Sequence, residues 1–355
     1  LSRAFPYAGH YVMRTGWDED ALWALVDAGP YGAAHQHEDK LSLELYAYGT
    51  RFVVDPGIAS YLDDPWTHYA RSTAAHSTVQ VDKRGQDRRT HVPRERYRVE
   101  EPEEALWASS AHLDCLWASY RDGYAGIDLT EGLVHSRLVL FLKPRFWVIW
   151  DLLGGQGAHE METLYHFAPM LVQYSAEEGI VRSNRLGLPN MEFLPLGHPD
   201  SVEIACGEQD PVQGWLAMGG KLIPAPTVLY RLQGKLPLAF GVVAAPFKSC
   251  VSSGLEVLPL EAEIQVDGTP ALRAAVVDRE VGRLEIVFAD RVCEIVCGEV
   301  SAGAQGLIVK RTPDGQVIYI AGLSVRRLSF LGAPLVVGEE LKPLIEIEIK
   351  STERV

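Results

Sequence analysis

The sequence predicts an all-β protein: a large antiparallel β-sandwich with a small C-terminal β unit. Two observations carry this. Apolar residues alternate with polar ones at a period of two in one segment after another, and turn residues recur at short intervals between those segments. A third is negative. Helical periodicity is thin, and the best candidate, "ALWALVDAG" (21–29), reads equally well as a buried strand and is taken as one.

The elements follow in order. "LSLELYAY" (41–48) sets Leu41, Leu43, Leu45 and Ala47 against Ser42, Glu44, Tyr46 and Tyr48, a half-buried strand. "YGT" turns the chain and "RFVVDPG" returns it. "STVQVD", "RLVLFLK", "RFWVIWDLL" and "ETLYHFAP" are further strands. They are followed by "TVLYRLQ", "LAFGVVAAP", "LRAAVVD", "RLEIVFA", "GLIVKR", "QVIYIAG" and "LIEIEIK". Loops at "GGQGAH" (154–159) and "SAGAQG" (301–306) punctuate the series; the second suggests a main domain over 1–298 and a C-terminal β unit over 299–355.

Composition narrows the function. The 355 residues are 47% hydrophobic and 23% charged, ordinary for a globular chain long enough for a large core. A net charge of −14 argues against nucleic-acid binding, which needs a basic footprint. No run of about 18 apolar residues offers a membrane span. The chain starts at Leu1 without a signal-peptide pattern, so it reads as a piece whose targeting segment would lie upstream; periplasm, exterior and cytoplasm all stay open. Five scattered cysteines (115, 206, 250, 293 and 297) read as buried thiols, not a disulfide framework.

Polar candidates crowd residues 31–98. His35 and His37 lie two apart in "AHQHEDK". Asp55 ends an apolar strand in "VVDPG", and His76 precedes another in "AAHSTVQVD". His37, Asp55 and His76 suit a two-histidine, one-carboxylate zinc site, with Glu38 or Asp39 placed to orient an imidazole. The plainer reading is a hydrogen-bonded histidine beside a strand and a turn aspartate. Strand geometry opposes the metal site. In a tight hairpin about "YGT", Asp55 falls opposite Glu44, and His37 lies roughly 23 Å further out if extended. The two meet only if "HEDK" folds back.

Three softer groups surround this set. The basic run 82–98 (Lys83, Arg84, Arg88, Arg89, Arg94, Arg96 and Arg98) either steers an anionic polymer or is a solvated hairpin. Arg71 either clamps a carboxylate or braces its loop. Tyr61, Trp66 and Tyr69 in "YLDDPWTHY" either form a sugar-stacking rim or pack down on the sandwich.

"AHQHEDKLSLELYAYGTRFVVDPG" followed by "YARSTAAHSTVQVD" resembles the heparinase II/III family of polysaccharide lyases, which includes the oligoalginate lyases. "DGYAG", "VHSRLVLFLKPRFWVIWDLL" and "LYHFAP" resemble that family's sandwich as well. The resemblance implies a supersandwich that packs on an N-terminal (α/α) toroid, which has no counterpart in these residues. It implies His37, Asp55 and His76 as ligands of a structural zinc and His35 as a catalytic histidine at the substrate groove. The tyrosine acid/base would come from the toroid. The implied reaction is β-elimination on a uronate-containing polysaccharide such as a glycosaminoglycan or alginate. Two alternatives stand beside it: a non-catalytic carbohydrate-binding module, and a metal-dependent cupin. The cupin pattern expects a glutamate three or four residues after the second histidine, and Glu44 comes later.

Overall fold

A computed structural model describes residues 2–248, 252–265 and 270–349. Contacts divide the chain into two units. The first comprises Leu1–Ala105 and Ser110–Ser253, the second Leu106–Ser109 and Gly254–Val355. The division thus falls at 253/254. A cut at 298/299 would sever the hairpin in which Gly282–Cys297 pairs with Val300–Arg311, from Cys297 opposite Val300 onward.

The first unit is a two-layer antiparallel sandwich. One layer holds a five-stranded meander in chain order: Arg3–Phe5, His10–Arg14, Trp23–Asp27, Ser42–Ala47 and Thr50–Val53. It continues through a bridge between Val53 and Phe167 into a four-stranded sheet, ordered Ser201–Ala205, Thr227–Lys235, Ala158–His166, Val79–Val81. The other layer runs Val172–Ser175, Ile180–Ser183, Asn190–Pro195, Leu238–Phe247, Phe146–Gly154, Val134–Leu142, Leu113–Tyr120. The layers meet through aromatic rings: Tyr165 against Phe193 at 4.7 Å and Tyr230 against Phe240 at 4.8 Å between centroids.

Residue pattern explains the layering. In Ser42–Ala47 the Leu43, Leu45 and Ala47 side chains are buried, while Ser42, Glu44 and Tyr46 are half-exposed. Phe146–Leu153 is buried at every position, as expected of an apolar run covered on both faces, and the one charge within it, Asp151, is buried too. "ALWALVDAG" is a strand at Trp23–Asp27. The aromatic loop "YLDDPWTHY" differs from expectation. It contains a helix, Pro65–Arg71, because Asp64 caps it by accepting from the Thr67 N–H at 2.7 Å and Pro65 opens it. The basic run likewise forms a short helix at Arg88–His91 and a 3-10 turn at Arg94–Arg96 instead of a hairpin.

The second unit is one antiparallel sheet, ordered Leu255–Pro259, Leu272–Asp278, Gly282–Cys297, Val300–Arg311, Val317–Phe330, Ala333–Glu348, with Glu263–Ile264 paired to Gly282–Cys297. Val287, Ile295, Val300, Leu307, Val309, Ile320 and Leu328 form its core. Cys115 and Cys297 are buried as expected, Cys293 is half-buried, and Cys206 is exposed, against expectation, in the turn preceding Glu208–Gln209. Cys250 lies outside the described residues.

Candidate active site

The loop between Trp23–Asp27 and Ser42–Ala47 carries the two histidines, and it folds back. Three left-handed residues turn it: Gly32 (φ 80°), His35 (φ 53°) and Leu41 (φ 67°). Its Glu38 N–H donates to the Arg71 carbonyl at 2.9 Å, which docks it on the C-terminal end of the Pro65–Arg71 helix. The return brings His37 onto His76, with ring centroids 5.3 Å apart. Asp55 arrives from the end of Thr50–Val53. Its Oδ1 accepts from the Gly57 N–H at 2.8 Å, and its Oδ2 lies 3.2 Å from His76 Nδ1.

His37, Asp39 and His76 offer ligand atoms that all lie within 4.8 Å of one another. Asp39 is therefore closer to the centre of the cluster than an orienting role requires, and Asp55 approaches it through His76. His76 is buried at 1% exposure; its Nδ1 meets the Asp55 carboxylate at 3.2 Å, and its Nε2 has no hydrogen-bond partner among the described residues. An unsatisfied buried ring nitrogen is costly in a finished protein. Two imidazoles and two carboxylates converging on it form a donor set that suits a divalent ion such as zinc.

Electrostatics agree. Burial opposes the charged form of His76, but contact with Asp55 and the charges of Asp39 and Asp55 outweigh it and raise its pKa. Burial and the His76 charge lower that of His37. Asp55 is held down to about 2, because His76 overcomes the burial that would push it up. Without an ion, these shifts favour the charged form of His76 against Asp55 and the neutral form of His37.

Two buried arginines lock this loop. Arg88 donates from Nη2 to the His37 carbonyl at 2.6 Å and to Asp39 Oδ1 at 2.8 Å, and from Nε to Glu38 Oε2 at 3.3 Å. It is 3% exposed, so the expected substrate contact is corrected to an internal clamp. Arg137, fully buried, donates from Nη1 to the carbonyls of Leu41 at 2.7 Å and Ser77 at 2.6 Å. It thereby ties together the two segments that carry His37 and His76. Its Nε and Nη2 grip Asp151 at 2.7 and 2.9 Å, and Asp151 also holds His135 Nε2 at 2.7 Å. Sequence reasoning missed Arg137. The available signal was an arginine at an inward position of the apolar run "RLVLFLK".

The remaining candidates separate. His35 is exposed, its ring edge-on to Tyr61 at 5.9 Å. Arg71 sits 6.0 Å from the same Tyr61 ring, with its Nε lacking a hydrogen-bond partner. His35, Tyr61 and Arg71 thus form one open polar and aromatic group. Trp66 is half-buried against Trp215 at 5.0 Å. Tyr69 is corrected to a packing residue: it is 6% exposed, and its hydroxyl donates to Gln213 Oε1 at 2.7 Å. Lys83, Arg84, Arg89, Arg94, Arg96 and Arg98 are exposed.

Comparison with known proteins places these features. The family model described as heparinase II/III-like, C-terminal, matches residues 1–253. The chain belongs to the heparinase II/III-like family. Its matched region is the first unit almost in full. The heparin-sulfate lyase of Pedobacter heparinus is 27% identical over 160 residues, covering 44% of this chain and 22% of that protein. Among solved structures, a heparinase III gene product superposes with a TM-score of 0.61 at 19% identity, covering 78% of this chain and 40% of that one. The heparan sulfate lyase of Pedobacter heparinus gives 0.60 at 19%, covering 78% and 41%. These structural matches establish the heparinase-type sandwich fold. The chain spans about 40% of the length of those structures.

Proposed function

We propose that this chain is the sandwich part of a lyase that cleaves a uronate-containing glycosaminoglycan by β-elimination. The observation that carries the reading is the pairing of an exposed His35, in a strained left-handed conformation, with a locked His37–Asp39–His76 cluster two residues on. Backbone strain persists where surrounding structure over-determines it, and such positions concentrate at functional sites. Family membership and the names of the relatives support the substrate class.

In the proposed reaction a base removes the proton on C5 of the uronate. The C5–H electron pair becomes the C4=C5 double bond, and the C4–O4 bond breaks with its electrons on the leaving oxygen, which takes a proton. His35 either accepts the C5 proton or donates a hydrogen bond to the carboxylate as negative charge builds on it. Arg71, beside the shared Tyr61 ring, is placed to pair with that carboxylate. The general acid is proposed to be a tyrosine of an (α/α) toroid outside these 355 residues. Zinc at His37, His76 and the Asp39/Asp55 carboxylates would fix the loop mechanically, and no step of the reaction is assigned to it.

The test combines metal analysis of this chain with elimination assays on the chain joined to the proposed toroid. About one zinc per chain is expected, lost in His37→Ala and His76→Ala. His35→Ala should retain zinc and fold while ultraviolet absorbance from unsaturated uronate product disappears. An active His35→Ala enzyme would overturn the catalytic assignment. Tight glycan binding without any unsaturated product would favour a binding module instead.

A further inference from the structure

The outer face of the five-stranded meander carries a second feature that the elimination chemistry does not use. Cross-strand register lines up four side chains in one row: Arg14 opposite Trp23, Trp23 opposite Tyr46, and Tyr46 opposite Arg51. Directly opposed residues stand about 5 Å apart, so the row is a continuous strip about 14 Å long, with an arginine at each end and two aromatic rings between. Trp17 rises beside it at 80% exposure, with the Arg14 guanidinium stacked 3.6 Å from its ring centre. Together they line an open groove of about 440 Å³.

Of the charged groups around the groove, Glu44 and Arg51 pair with each other, Glu44 accepting from Arg51 Nη2 at 3.4 Å. Asp18 is held in its own turn, accepting from the Asp20 N–H at 3.1 Å, without a cation partner among the described residues. Arg14 has no carboxylate partner among the described residues, and its Nε is buried without a hydrogen bond. An exposed tryptophan stabilises no core, and an unpaired guanidinium held against it is pre-organised for an anion. Glu44 also lines the neighbouring cavity that contains Asp39, Asp55 and His76, so the groove adjoins the candidate site.

We propose that this groove is a saccharide subsite. One acidic sugar of a glycan stacks its C–H face on Trp23 and Tyr46 against Trp17, and its carboxylate or sulfate pairs with Arg14. Arg51 and Glu44 meet hydroxyls at the far end. The subsite extends the proposed lyase function and rests on it for the kind of glycan bound.

The test is calorimetric titration of the chain with a heparan sulfate hexasaccharide, with neutral cellohexaose as comparison. The wild type should bind the acidic hexasaccharide at least tenfold more tightly than cellohexaose. Trp17→Ala, whose side chain lies in solvent and so leaves the fold intact, should weaken binding at least tenfold, and so should Arg14→Gln. Absence of binding by the wild type, equal affinity for the neutral glycan, or unchanged affinity in both variants would each overturn the subsite. Elimination is read separately by ultraviolet absorbance, on the chain joined to the toroid that supplies the proposed tyrosine acid. Product formation with unchanged binding in both variants overturns the subsite alone. Groove-dependent binding without product overturns the lyase reading alone and leaves the subsite standing.

Discussion

At the scale of single residues, the question is which carboxylate completes the metal cluster. Asp39 lies within ligand distance of both histidines, yet its Oδ1 is engaged by Arg88. Of the two histidines, Asp55 meets His76. If both are ligands, Asp39→Asn and Asp55→Asn should each lower zinc affinity by at least tenfold in competition with a chelator. A variant that keeps wild-type affinity removes that residue from the ligand set. Arg88→Met should cost about 3–5 kcal/mol in urea unfolding, because Glu38 and Asp39 lose the charge that neutralises them. A loss below about 1 kcal/mol would show that water reaches both. Residue types were legible here and partners were not. The resemblance singles out His37, Asp55 and His76; the structure gathers His37 and His76 with Asp39, and Asp55 beside His76. The role of Arg88 was misread because Glu38 and Asp39 lie 50 and 49 residues away, and an arginine in a basic run looks solvated until its partners are seen.

Among elements, the meander decides whether the site can form. The period-two pattern gave the strands of the hairpin, but not its register or the path of the loop before it. Leu45 pairs with Val53 and Tyr46 with Arg51, so a bulge at Phe52 shifts the return strand. The loop's path depends on left-handed conformations at His35 and Leu41, which nothing in those residue types announces. Its return is held from beneath by Arg137. Removing that side chain strands Asp151 in the core and frees two backbone carbonyls. Arg137→Met should therefore destabilise by about 3–5 kcal/mol. Arg137→Lys should recover only part, since one ammonium cannot grip Asp151 by two parallel bonds and reach both carbonyls. Equal stability of Lys and Arg variants in urea would mean that charge, not the fork, is what the core requires.

For the whole molecule, the buried ionisable groups set the response to acid. His166, at the junction of the two sheets of one layer, accepts or donates a bond with Thr227 Oγ1 at 2.9 Å. Burial, and then the charge of His76, push its pKa down to about 3. Burial also lowers that of His135, despite Asp151. Asp151 sits at about 2, its burial outweighed by Arg137 and His135. For each of these the unfolded chain takes up protons before the folded one. The histidines' contribution is fully present above about 6.5 and is lost as pH falls, to about 3 for His166. Asp151 adds its loss below about 4. His76 has the opposite sign. Its raised pKa stabilises the metal-free protein at low pH and is lost as pH rises through the raised value, and zinc bound to a neutral imidazole would remove that term. Urea unfolding between pH 7.5 and 4 should therefore show stability falling with acid more steeply in the zinc-loaded protein than in the metal-free one. His166→Gln should reduce the slope by about one proton, or about 1.4 kcal/mol per pH unit. A slope unchanged by that substitution would mean that His166 is protonated in the fold, and the charge balance around His76 would then have to be redrawn with a second cation beside it.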